Sequence, residues 1–174
     1  MSFPTSFIET LHSEGPAADR RDGLQLYAFL IGRWEYDARY HLDNGRIRQS
    51  SGEIHAGWVL GGRAIQDVWI VPARGLPRPQ PPDFGDYFGT TLRVYDPALD
   101  AWHILWSDPL RQTYCRQLGR ARGEDIVQEG EDDGVRQRWS FREIAADSFR
   151  WTGESSHDGG ADWKLYADFR VRRA

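Results

Sequence analysis

Val135-Arg136-Gln137-Arg138-Trp139-Ser140-Phe141-Arg142 decides the fold class. In an extended chain alternate side chains leave on opposite faces. Val135, Gln137, Trp139 and Phe141 therefore form one dry face, and Arg136, Arg138, Ser140 and Arg142 one wet face. A helix would scatter both sets. The same alternation returns at residues 163–171, where Trp163, Leu165, Ala167, Phe169 and Val171 oppose Lys164, Tyr166, Asp168 and Arg170. Trp34 and Tyr36, Trp102 and Trp106, and Phe149 and Trp151 also stand an even number of residues apart, so each pair shares a side of its strand. With 8 tryptophans and 13% aromatic residues, such strands turn a π-rich face inward.

Outward from this stretch the chain reads as about ten strands separated by turn signals. Residues 33–42 run into Asp43-Asn44-Gly45, where Asn-Gly accepts positive φ cheaply. Residues 46–60 follow, then Gly61-Gly62 and 63–71. Strands 87–95, 101–107, 111–118, 124–129, 135–144 and 147–155 come next, and Asp158-Gly159-Gly160 turns the chain into 163–172. Residues 1–20 lack a pattern and read as irregular. Leu24, Leu26, Tyr27, Leu30 and Ile31 predict a short amphipathic helix over 22–31, ending at Gly32. The expectation is an all-β single domain over 1–174. It is a single antiparallel up-and-down, lipocalin-like β-barrel over 33–172, closed to hide its edges, with a short N-terminal helix. Strand 63–71 carries apolar residues on both faces, which predicts cover from the helix or from a second copy in a homodimer. The loop 72–86 holds Pro72, Pro77, Pro79, Pro81 and Pro82 and is too long for a hairpin. It is expected to border the barrel mouth, with Phe84 as its apolar contact.

Composition narrows the function. A net charge of −4 gives no basis for nucleic-acid binding. Of the 22 basic residues only Lys164 is a lysine. The lone Cys115 excludes an internal disulfide and a cysteine zinc cage. Met1–Glu14 lacks the pattern of a signal peptide and no apolar run is long enough to span a bilayer, so a cytoplasmic location with no membrane partner is expected.

Gly32-Arg33-Trp34 at the first strand, with Arg170-Val171-Arg172-Arg173 at the last, resembles the device that closes the bottom of lipocalins and wider calycin barrels. The resemblance implies that an arginine, expected to be Arg172, stacks on Trp34. Val59-Leu60-Gly61-Gly62-Arg63-Ala64-Ile65-Gln66-Asp67-Val68-Trp69, Gly89-Thr90-Thr91-Leu92-Arg93-Val94-Tyr95-Asp96-Pro97 and Ser148-Phe149-Arg150-Trp151 look like an uncharacterised bacterial family of lipocalin-like proteins in the calycin superfamily. That likeness, over roughly 24–172, implies a barrel with an interior cavity and brings no agreed activity. Gly32-Arg33-Trp34 is not followed by the Gly-x-Gly of nitrobindin-type haem barrels, so no cofactor is expected. Ser156-His157-Asp158-Gly159-Gly160-Ala161-Asp162-Trp163 is similar to the Asp box of sialidase propellers. As a single copy it implies a self-capped hairpin built on Asp158 and Trp163.

The usual catalytic signatures are absent, and the five histidines show no metal-ligand spacing. Asp67 lies in an apolar run, where a carboxylate is costly unless paired. It reads either as an acid/base or ligand anchor, or as one half of an ion pair with Arg63 or a neighbouring-strand arginine. His55 reads as a proton shuttle or a surface residue. Tyr36, Tyr40, Trp102, Trp106, Trp139 and Trp151 read as a ligand box or as core, with Gln66 and Asp67 orienting a ligand. Cys115 reads as an inert thiol. The leading expectation is a container for a small hydrophobic or aromatic molecule. The alternatives are a barrel enzyme of cyclase, isomerase or hydratase type using Asp67 or His55, and a structural or dimerisation module.

Overall fold

The computed structural model describes residues 6–174, so the first five residues of the segment read as irregular lie outside it. The strands are β1 (His12–Ser13), β2 (Gly32–His41), β3 (Ile47–Val59), β4 (Ala64–Val71), β5 (Tyr87–Asp96), β6 (Ala101–Asp108), β7 (Thr113–Arg122), β8 (Asp125–Asp132), β9 (Val135–Arg142), β10 (Ser148–Ser156) and β11 (Lys164–Arg173). From β2 onward each strand pairs antiparallel with the next, and β11 returns to β2, closing a ten-stranded up-and-down barrel of lipocalin-like form. Closure removes the free edges that a long meander would otherwise expose. The extra strand β1 lies against Trp58 and Val59 of β3, just beyond the point where β2 pairing begins at Ala56.

The end of the barrel where β2 begins is its floor, and the end where β2 finishes is its mouth. The N-terminal segment fills the floor. The expected short N-terminal helix is present, but it is α1 (Phe7–Leu11), within the stretch read as irregular. Its start was legible: Ser6-Phe7-Ile8-Glu9 is a capping box, with the Ser6 hydroxyl accepting from the Glu9 amide and the Glu9 carboxylate from the Ser6 amide. Residues 22–31 instead form 3-10 turns at Gly23–Gln25 and Ala28–Leu30. Leu24, Tyr27 and Leu30, all fully buried, are spaced by three, the period of a 3-10 turn rather than of an α-helix. Gly62 fastens this segment to the barrel. It sits at φ +74°, and a Cβ there would stand 2.2 Å from the Gly15 carbonyl. Its carbonyl accepts from the Ala17 amide at 3.0 Å.

Most strands keep the faces their alternation predicts. β2 is the clearest case, with Trp34, Tyr36, Ala38 and Tyr40 buried between exposed neighbours. β11 departs from the pattern. The β10–β11 register shifts between Gly153 and Glu154, a β-bulge that leaves Tyr166 without a partner on β10. Tyr166, expected on the wet face, turns inward instead, and its hydroxyl accepts from Trp139 Nε1 at 2.7 Å. Gly153 makes room for it, since a Cβ would come within 2.6 Å of its ring.

Candidate functional site

The floor is sealed. Trp34 is 1% exposed, donates from Nε1 to the Leu30 carbonyl at 2.8 Å, and meets the edge of Phe149 at 4.9 Å. The arginine over its face, at 3.7 Å, is Arg173 and not Arg172. Successive residues of β11 face opposite ways. Val171 and Arg173 share the inner side, while Arg172 points out to Glu35 and Asp37. Arg173 also donates to the carbonyls of Ile31 at 2.6 Å and Phe29 at 2.8 Å, so it holds the N-terminal segment and the barrel together. Trp102, expected in a ligand box, belongs to this floor: it is 1% exposed and packs edge-on against Tyr27 at 4.9 Å. Gly32 takes φ +122°, and a Cβ there would meet the Arg173 guanidinium at 2.7 Å.

Above the floor lies a buried polar layer. Asp67 has no exposure and its Oδ2 accepts from Arg93 Nε at 2.9 Å and Nη2 at 2.8 Å. The ion pair expected between Asp67 and a neighbouring-strand arginine is formed, on Oδ2 alone, while Oδ1 has no partner; Arg63 instead pairs with Asp19 outside. Arg93 Nη1 donates to Gln128 Oε1 at 2.5 Å, and the Tyr27 hydroxyl donates to the same oxygen at 3.0 Å. The Arg93 guanidinium lies 5.1 Å from the Tyr27 centroid and 5.4 Å from that of Phe141. Gln66, the neighbour of Asp67, projects from the outer wall and donates to the Thr90 hydroxyl at 3.0 Å. It cannot orient a ligand in the lumen, because adjacent strand residues point opposite ways.

Rings occupy the upper lumen and touch across it: Trp69 and Trp151 at 5.8 Å, Trp106 and Trp139 at 6.2 Å. Trp151 stacks on Phe169 at 4.7 Å, and Tyr36 on Phe169 at 5.0 Å. The clefts described, of about 290 Å³ beside Arg33, Glu35 and Arg74 and about 420 Å³ beside Asp19 and Tyr95, lie on the outside. Where the family resemblance implies an interior cavity, inward rings of the upper lumen meet one another. The rings nearest the mouth are nevertheless only partly buried. Tyr87, Trp106, Cys115, Gln137, Trp139 and Tyr166 all face inward and all retain exposure. Tyr36 and Tyr87 share a hydroxyl hydrogen bond of 3.0 Å, and burial pushes both phenols well above their ordinary pKa. Burial pushes the Cys115 thiol up to about 12, so it carries no thiolate at neutral pH.

Residues 72–86 lie at this mouth, opposite the end closed by Trp34. The Tyr40 hydroxyl donates to the Gly85 carbonyl at 3.0 Å, and Phe84 meets the edge of Tyr40 at 5.8 Å. Arg48 Nη2 donates to the fully buried Asp86 at 2.5 Å, and Arg78 Nη1 donates to the Val71 carbonyl at 2.7 Å. The loop is latched by charge-assisted bonds at its base, while Phe84 stays 43% exposed at its tip.

His55 stands on the outer wall. Its Nε2 lies 2.8 Å from a Glu53 oxygen and 3.0 Å from Arg74 Nη2. Hydrogen bonds from Arg74 hold the Glu53 carboxyl down at about 2, against its ordinary 4.5. A carboxylate whose folded pKa is depressed stabilises the fold above the unfolded value, and that contribution is lost as the pH falls toward the folded one. Glu53→Gln should therefore flatten the acid limb of stability between roughly pH 4.5 and 2, by no more than about 1 kcal/mol because Arg74 is largely exposed. Urea midpoints at several pH values check this, and an acid limb parallel to that of the parent protein would exclude the pair as its source.

The 156–163 hairpin is capped as its residues suggest. Asp158 Oδ1 accepts from the Ser156 hydroxyl at 2.7 Å and from the Ala161 and Asp162 amides at 3.0 Å. Trp163 donates to the Gly160 carbonyl at 3.1 Å, and Arg138 lies 3.9 Å over its ring. Among the described residues no cluster of histidine, cysteine and carboxylate side chains could hold a metal, and no helix is long and apolar enough to cross a membrane.

No protein-family model matches the chain, and no curated protein matches it in sequence. Solved structures share its architecture. One is Rv2717c from M. tuberculosis, with a TM-score of 0.55 at 13% identity over 91% of this chain and 99% of that one. Another is the S-type phycobiliprotein lyase CPES from Guillardia theta, with a TM-score of 0.57 at 12% identity over 91% and 98%. At these identities the likeness is one of fold.

Proposed function

We propose that the barrel binds a small, flat, apolar or aromatic molecule in its upper lumen, entering past loop 72–86. The observation that carries this reading is the asymmetry of the interior. The floor is plugged and desolvated, while the mouth presents half-buried inward rings under a latched loop. A core serving only stability would complete its burial at both ends. Up-and-down barrels of similar strand number enclose a single small ligand in this position, and the fold shared with a phycobiliprotein lyase supports the same use. The ligand takes its place between Trp106 and Trp139, which part to admit it, with Tyr36, Tyr40 and Trp151 around it. In this reading the chain is a cytoplasmic member of the bacterial lipocalin-like family.

Saturable retention of a naphthalene probe, 2-naphthol or 2-methoxynaphthalene, whichever binds tighter, in equilibrium dialysis tests it. Cys115 pairs with Trp106 across β6 and β7 at the mouth. Cys115→Trp should fill that space and weaken retention about tenfold or more, with the fold intact by circular dichroism. Retention that does not saturate, or that Cys115→Trp leaves unchanged, sinks the reading. The latch yields a kinetic prediction. Arg48→Ala removes the partner of buried Asp86 and frees the loop, so release of the same probe should accelerate by about tenfold. Stopped-flow displacement measures this, and an unchanged rate would show that the loop does not control exit.

A second reading rests on the outer wall of β4–β6. Phe88 is 49% and Leu105 40% exposed there, near Val68, Ile70 and Leu92. A homodimer through this face would cover them, and a monomeric mass in concentrated solution by light scattering would exclude it.

A further inference from the structure

We infer that the ligand of the lumen is uncharged and presents a hydrogen-bond donor to Asp67, as a phenol, lactam or primary amide does. This rests on the lumen-binding reading and narrows it. Asp67, Arg93, Gln128 and Gln117 form one hydrogen-bonded chain, and its direction follows from the donors. Arg93 can only donate, so the Gln128 atom 2.5 Å from its Nη1 must be the carbonyl oxygen. Gln128 Nε2 must then be the donor toward Gln117, 3.4 Å away, which makes the receiving atom Gln117 Oε1. The chain ends in two groups with no partner: Gln117 Nε2, a donor, and Asp67 Oδ1, an acceptor. Trp69 Nε1, on the inner side of β4 two residues from Asp67, is a further unpartnered donor. Asp67, Gln117 and Trp69 are respectively 0%, 2% and 5% exposed, so bulk water does not serve them.

Buried polar atoms are nearly always paired, and leaving one unpaired is costly. Three on the inner wall of one barrel describe a complementary ligand edge: one donor to meet Asp67 and an acceptor to meet Gln117 or Trp69. Charge sharpens the class. Asp67 and Arg93 neutralise one another, and Arg48, the other arginine on the lumen face above the floor among the described residues, is engaged by Asp86. A carboxylate ligand would therefore be buried beside Asp67 with no cation to compensate it.

Equilibrium dialysis of the full chain at pH 7 against 2-naphthol, 2-methoxynaphthalene and 2-naphthoate tests the inference. These probes share a ring system and differ in donor and charge. 2-Naphthol should bind about tenfold tighter than either of the others, the usual effect of one hydrogen bond to a charged acceptor. Equal binding of 2-methoxynaphthalene, or tightest binding of 2-naphthoate, overturns the inference and leaves lumen binding standing. Retention of none of the three overturns both. Asp67→Asn supplies the residue-level test: Asn Oδ1 takes Arg93, and Nδ2 replaces the free oxygen with a donor. The preference for 2-naphthol over 2-methoxynaphthalene should then disappear or reverse, whereas an unchanged preference removes Asp67 from the assignment. Should this variant fail to fold, the ranking on the unaltered chain decides alone.

Discussion

Arg93→Ala should destabilise the barrel by about 3–5 kcal/mol, the range found when one member of a buried ion pair is removed. The guanidinium has 1% exposure and serves two partners at once, Asp67 through Nε and Nη2 and Gln128 through Nη1. Its loss leaves a carboxylate in the barrel without a cation and takes one donor from Gln128 Oε1, which keeps only Tyr27. It also opens a void between the rings of Tyr27 and Phe141. The pair itself is a different matter from its rupture. Replacing both members with apolar residues, Asp67→Leu with Arg93→Met, should recover most of the loss, because the desolvation of the two charges is no longer required. Urea unfolding of the two single variants and the double variant measures this. Arg172→Ala is the control: its partners Glu35 and Asp37 are exposed, and its cost should stay below about 1 kcal/mol. If Arg93→Ala costs no more than that control, the polar layer is not part of the fold's stability.

Local signals carried the architecture. Alternation in β2, β9 and β10 and the turn chemistry at Asn44-Gly45 and Asp158-Gly159-Gly160 depend on neighbours in sequence, so the barrel and most of its strand boundaries are readable; β7 and β8 run on to Arg122 and Asp132, past the expected ends at 118 and 129. The features that depart from expectation are non-local or a matter of parity. Asp67 was visible as a costly carboxylate, but its partner depends on the β4–β5 register, which sets Ile65 opposite Arg93 and so brings that guanidinium beneath Asp67. Gln66 and Asp67 are adjacent, and strand geometry already forbade both from lining one lumen. Arg173 rather than the expected Arg172 lies over Trp34 for the same reason, since a shift of one residue changes the face. Tyr166 could not have been placed, because a bulge opposite Gly153 reverses its face and no residue type announces it. Two N-terminal signals in the sequence do mark the observed structure: the Ser6–Glu9 capping box, and the three-residue spacing of Leu24, Tyr27 and Leu30. The aromatic count had two readings, and packing decided between them. Rings meet across the upper lumen, so its use as a site depends on their moving apart at the mouth, where they are least buried.

Trp34→Ala should cost about 3–5 kcal/mol, the range for deleting a fully buried large ring. The loss has several separable parts. The indole fills the floor against Phe149, its Nε1–H satisfies the Leu30 carbonyl, and its face carries Arg173. Trp34→Phe keeps most of the ring and removes the donor, so it isolates the hydrogen bond at about 1 kcal/mol. Arg173→Ala removes the cation and with it the bonds to Ile31 and Phe29, which tie the N-terminal segment to the end of β11. Stacking on Trp34 and anchoring the segment are coupled through one guanidinium, so Trp34→Ala and Arg173→Ala should be sub-additive in a double-mutant cycle, by about 1 kcal/mol. The same coupling predicts where the molecule loosens first. In Arg173→Ala, amide hydrogen exchange should accelerate in the 23–31 turns before it does in the middle of β9 and β10, since those turns hold no ladder bonds of their own. Uniform acceleration across all strands would mean that the plug and the barrel unfold as one unit. Strict additivity of the two substitutions would mean that the stack over Trp34 contributes nothing to the seal.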